Sequence, residues 1–132
     1  MSNGYIAFVL TDRSRTELIK QINPGFPDVI AHHVTIHFGV EKPSIEQLGW
    51  LEKTIQTVQV IGYAKGQNID TVIVAINGKT VRNDGKVFHI TLSLDRSTGA
   101  KPSHSNSLLK NQAWTNVTPF TLDGNVNFIS NH

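Results

Sequence analysis

The 132 residues suit one domain that buries a core without cross-links, and the absence of cysteine excludes a disulfide framework, a thiolate nucleophile and a Cys-rich zinc site. Twelve basic against ten acidic side chains leave a net charge of +2 with no long run of either sign, which does not fit a protein that coats duplex DNA but is compatible with a small anionic ligand. The first ten residues, MSNGYIAFVL, lack the pattern of an export signal and no segment approaches the roughly 18 apolar residues of a membrane span, so one cytoplasmic domain over 1–132 with no membrane partner is expected.

In chain order, YIAFVL (5–10) reads as a strand. Ser14 and Glu17 have capping-box spacing for a helix over TELIKQI (16–22). The segment NPGFPD (23–28) breaks the chain, and VIAHHVTIHFGV (29–40) reads as a second strand ending near Gly39. In KPSIEQLGWLEKTIQ, Ser44 and Gln47 form another capping box, and Ile45, Leu48, Leu51 and Ile55 recur at helical intervals. Strands follow at VQVIGYA (58–64), TVIVAI (71–76) and KVFHITLSL (86–94), separated by the turns NGK and NDGK. SNSLLKN (105–111) suggests a short helix, and TPFTLDGNVNFIS (118–130) two short β segments around Asp-Gly.

An internal echo stands out. HVTIHF (33–38) and HITLSL (89–94) share His at the first position, Thr at the third and branched apolar residues between, 56 residues apart. Side chains alternate along a strand, so His33, Thr35 and His37 are expected on one face, with Val34, Ile36 and Phe38 on the core face. Likewise His89, Thr91 and Ser93 oppose Phe88, Ile90, Leu92 and Leu94. Each His and its Thr then stand roughly 6.5 to 7 Å apart on one polar face. Two such pairs facing each other would grip a phosphodiester. The hydroxyls meet the non-bridging oxygens, while one neutral and one protonated imidazole serve the attacking and leaving oxygens. The competing reading is of strand histidines satisfied by backbone groups; the matched parity of two His-x-Thr strands favours the clamp.

The tandem HVTI and HITL resembles the two H-x-[ST]-x signatures of the two-histidine (2H) phosphoesterases, and the order of elements is similar to that family over most of the chain. DRSTGAKPSHSNSLL (95–109) is similar to the corresponding region of the cyclic-phosphodiesterase domain of fungal tRNA ligases and of related RNA-repair and phage anti-CBASS members. The resemblance implies an α+β fold with two pseudo-symmetric lobes of antiparallel sheet and flanking helices around a central cleft. It implies hydrolysis of a cyclic nucleotide or an RNA-terminal 2′,3′-cyclic phosphate without metal or other cofactor. His33 and His89 would be the catalytic base and acid in either order, with Thr35 and Thr91 binding phosphate. A cyclic di- or oligonucleotide signal is the alternative substrate, a non-catalytic module binding RNA ends or cyclic nucleotides is the alternative of another class, and a structural β-rich protein with incidental histidines is the third.

Further candidates are Lys101, as a point charge for a second phosphate, and Tyr5, at the mouth of the first strand beside Gly4, as a stacking surface for a nucleobase. Tyr63 and Trp114 are weaker stacking candidates and read first as packing residues. His37 extends the polar row toward substrate, whereas His32 falls on the apolar side as a structural residue. A zinc site built on His33, His37 and His89 is disfavoured because the first two would lie about 13 Å apart along one strand. No phosphate-loop or dinucleotide-binding glycine motif is present.

Overall fold

The computed structural model describes residues 3–102, 104–110 and 113–130, with Asn3 described by its backbone alone. Its elements are β1 (Asn3–Leu10), α1 (Asp12–Gln21), β2 (Asp28–Val29), β3 (His33–Glu41), α2 (Ile45–Thr54), β4 (Val58–Lys65), β5 (Ile69–Ile76), β6 (His89–Leu94), a 3-10 turn (Arg96–Thr98), α3 (His104–Leu108), β7 (Thr115–Thr121) and β8 (Gly124–Ser130). The architecture is α+β with two antiparallel sheets, ordered β3-β1-β8 and β2-β6-β5-β4-β7.

Helix starts follow local side-chain chemistry. At α2 the expected capping box forms, with the Gln47 amide donating to Ser44 Oγ at 3.1 Å and the Ser44 amide to Gln47 Oε1 at 2.9 Å. At α1 the cap is Thr11 instead, accepting from the Ser14 amide at 3.1 Å. Ser14 is buried and its hydroxyl accepts from the Asp123 amide at 2.7 Å. The helix therefore begins several residues before the predicted start. The apolar stripe of α2 is thinner than its spacing implied: Leu48, Leu51 and Ile55 pack on the core, but Ile45 is 89% exposed. Of the predicted helix 105–111, residues 105–108 are helical and Asn111 lies outside the described residues.

The long strand expected over 29–40 is two strands in different sheets. Buried Ala31 takes a positive φ of 44°, a costly conformation for a residue with a Cβ. On one side of this kink the Ile30 and Ala31 amides donate to Leu92 and Thr91 carbonyls of β6, both at 2.9 Å; on the other, the His32 carbonyl accepts from the Leu10 amide of β1 at 3.0 Å. The chain thus passes from one sheet to the other immediately before His33. The two β segments around Asp123-Gly124 make a second crossing, since β7 joins β4 while β8 joins β1.

One core unites both sheets. Ile6 and Phe8 of β1, Val34 and Ile36 of β3, Val72 and Val74 of β5, and Ile90 and Leu92 of β6 form a single buried cluster with Leu18 of α1. All eight residues of β5 are buried, as expected of a strand covered on both faces. The sheets hold three and five strands, so the likeness of the two halves is confined to the signature strands and their register.

That register carries a shared irregularity. Between β1 and β3 the pairing steps from Ala7–Thr35 to Ile6–His37, passing over Ile36; between β5 and β6 it steps from Thr71–Thr91 to Asp70–Ser93, passing over Leu92. Ile36 and Leu92 are 56 residues apart, the same separation as His33 and His89. Each signature strand therefore bulges directly after its Thr. A bulge reverses side-chain parity beyond it, which corrects three expectations. His37 pairs with core-facing Ile6 and so leaves the His33 face. Phe38 pairs with Tyr5, shares its face and is 62% exposed, not buried in the core. Ser93 pairs with Asp70, to which its buried hydroxyl donates, instead of continuing the row of His89 and Thr91. A second register step in β3 passes over Gly39, which holds a φ of 71° that glycine adopts without strain.

Candidate active site

His33 and Thr35 of β3 and His89 and Thr91 of β6 line one cleft of about 400 Å³, within the size range of small-molecule sites. Behind them lie the core residues Val34, Ile36, Ile90 and Leu92, so alternation fixes the polar side chains on the cleft side. The bulges end each polar row after two residues, so each signature strand presents one His-Thr pair to the cleft.

The histidines are held differently. The Nδ1 of His89 lies 2.8 Å from the Val87 carbonyl oxygen; a carbonyl only accepts, so Nδ1 carries the proton and Nε2 is left for a ligand. The Nδ1 of His33 lies 2.9 Å from the Nδ1 of His32, and the two rings meet edge to face. Burial lowers the pKa of His33 from 6.5 to about 4, assisted by the like charges of His32 and His89. Burial also lowers that of His89; the bond to Val87 opposes the fall, and the charges of Arg82 and Lys86 add to it. Both shifts favour the neutral imidazole near pH 7. An anionic phosphate beside them would raise both values.

The threonines differ as well. Thr91 is buried; its Oγ1 lies 2.8 Å from buried Ser105 Oγ and 3.3 Å from the Pro102 carbonyl oxygen. Ser105, on α3, thus orients the Thr91 hydroxyl. Thr35 is half-buried on the cleft wall.

Of the other candidates, Tyr5 lines the cleft, its ring 5.3 Å from that of His33 and stacked with Phe38 at 6.3 Å. Burial raises the Tyr5 phenol pKa, keeping it neutral. His37 and Lys101 do not line the cleft; Lys101 is exposed, and its backbone amide donates to His104 Nδ1 at 3.2 Å. Burial raises the Tyr63 phenol pKa, and its donation to Asp70 Oδ2 at 2.6 Å adds to the rise. Trp114 packs over Gly62, where a Cβ would meet its indole. Both are packing residues and line a separate cavity. Among the described residues no three His, Asp or Glu side chains gather as a metal-ligand set, and no helix is long and apolar enough to cross a membrane.

Sequence reasoning missed His32, Phe38, Arg82, Lys86 and Asn106, all of which line the cleft. Uninterrupted alternation puts Phe38 and His32 on the core face; the bulge at Ile36 and the positive φ at Ala31 place both on the cleft instead. Arg82 and Lys86 belong to the turn before β6, where sequence shows a turn and no direction.

No family model matches the chain, and neither a curated protein nor a solved structure matches it significantly. Fold and site together define an α+β protein whose two sheets each present a His-Thr pair to a common cleft. The site's own geometry is the ground for its chemistry.

Proposed function

We propose that the protein is a two-histidine-type phosphodiesterase that hydrolyses a nucleotide phosphodiester, with a cyclic nucleotide or an RNA-terminal 2′,3′-cyclic phosphate as leading substrate. The supporting observation is the convergence of His33-Thr35 and His89-Thr91, far apart in sequence, on one cleft with equivalent bulges behind them. His33, the more strongly depressed imidazole, suits the general base: it takes a proton from water as the water oxygen bonds to phosphorus. His89, whose cation the Val87 carbonyl favours, suits the general acid: once protonated, its Nε2–H passes to the leaving ribose oxygen as the phosphorus–oxygen bond breaks. Thr35 and Thr91 donate to the non-bridging oxygens; as the Thr91 hydroxyl turns its proton from the Pro102 carbonyl to phosphate, the Ser105 hydroxyl donates to Thr91 Oγ1.

The test is incubation with adenosine 2′,3′-cyclic phosphate and with a cyclic dinucleotide in excess chelator. Product from the parent protein but not from His33→Ala or His89→Ala is the expected result. Undiminished turnover in either variant, or binding without product over hours, would reject hydrolysis by this pair.

A further inference from the structure

We infer that the loop 82–86 forms a second phosphate subsite, so that the preferred substrate carries a phosphate group besides the one that is cut. This rests on the proposed reading of the cleft and extends it. The cleft is polar in a graded way: on the β1–β3 side Tyr5 lies against His33 and Phe38 stacks on Tyr5, while Arg82 and Lys86 line the cleft on the side of His89. The charges of both cations are felt at His89, so they stand near the reacting centre.

The loop is built to hold them. The Arg82 side chain is only 4% exposed, a position that costs free energy unless the charge is paired. Its Nε and Nη2 donate to Asp84 Oδ1 and Oδ2 at 2.9 and 2.7 Å, a bidentate fork that locks the guanidinium plane. Asp84 Oδ1 also accepts from the Lys86 amide at 3.1 Å, and the Arg82 amide donates to the Lys86 carbonyl at 2.7 Å. Arg82's hydrogen bonds hold the Asp84 carboxyl at about 2, so it remains ionised. Asp84 does not line the cleft. It is a positioning residue that grips the arginine from behind, leaving Nη1 without a partner among the described residues. A surface turn needs neither a buried arginine nor two cations turned toward a cleft. Such an array fits a phosphate through the guanidinium edge and the Lys86 ammonium, while a base on the same substrate stacks on Tyr5 or Phe38.

Two sources carry this chemistry: a nucleoside 2′,3′-cyclic phosphate with a 5′-phosphate, and a cyclic dinucleotide. Both are compared with adenosine 2′,3′-cyclic phosphate, which has one phosphate, in parent protein, Lys86→Ala, Lys86→Arg, Asp84→Asn and Lys53→Ala. The parent should prefer at least one two-phosphate substrate, and which of the two it prefers identifies the source. Lys86→Ala should reduce that preference about tenfold, chiefly through KM, the loss expected of one charge-assisted hydrogen bond. Lys86→Arg should restore most of it, Asp84→Asn should lower it by loosening Arg82, and exposed Lys53 on α2 should have no effect. No preference in the parent, or equal preference in Lys86→Ala, overturns the subsite. If nothing is hydrolysed, calorimetry with the cyclic dinucleotide separates the two ideas: Lys86-dependent binding keeps the subsite and rejects hydrolysis, and no binding rejects both.

Discussion

Replacing His33 with Gln should make folding stability less sensitive to acid. A folded-state pKa of about 4 against 6.5 means that the unfolded chain binds the extra proton first. This group's stability contribution is therefore complete above pH 6.5, falls as pH drops toward 4 and levels off below. From these two values the loss between pH 8 and pH 5 is about 2 kcal/mol. The ring sits in a cleft open to water, so solvent screening reduces this to about 1 kcal/mol. His33→Gln removes the titration while keeping a polar side chain of similar reach. Urea denaturation of both proteins at pH 8 and pH 5 gives the comparison, in which carboxylates common to both cancel. The parent should lose about 1 kcal/mol more than the variant. Equal losses would show that His33 titrates normally when folded, and the case for it as a base kept neutral by burial would fail.

The remaining expectations concern activity and packing. His33→Ala and His89→Ala should each lower turnover on the order of 10²- to 10⁴-fold with unchanged far-UV circular dichroism. The pH–rate profile should be bell-shaped, because one imidazole must lose its proton and the other hold it; a flat profile between pH 5 and pH 9 would argue against paired histidines. Ser105→Ala should lower kcat through Thr91 while Ser105→Thr keeps part of it, and equal kcat in parent and Ser105→Ala would remove Ser105 from the site. Leu92→Ala, at the fully buried bulge of β6, should cost about 2 to 5 kcal/mol by thermal or urea unfolding. Gly124→Ala should destabilise by about 1 to 3 kcal/mol, since a Cβ there meets the Val9 carbonyl and the Phe8 ring where β8 joins β1.

Sequence alone determined which strand residues share the cleft face. His33, Thr35, His89 and Thr91 were legible because strand alternation is a local property, and an apolar residue between two polar ones already states which side is buried. The capping box at Ser44 was legible for the same reason, its partner lying three residues away. Tertiary structure decided where each row stops and what surrounds it. Whether a strand bulges at Ile36 or Leu92 depends on β1 and β5 as partners, so the displacement of His37 and Ser93 and the exposure of Phe38 are invisible to a pattern read along one strand. The positive φ at Ala31, which moves the chain from one sheet to the other and brings His32 beside His33, is likewise imposed by bonds to β6 and β1. Arg82 lines the cleft with its guanidinium held by Asp84, a partner whose bond to it no pattern along the chain announces. Faces follow from covalent geometry repeated at each residue, whereas register, crossings and the aim of loop side chains are set by contacts between segments that only the folded chain brings together.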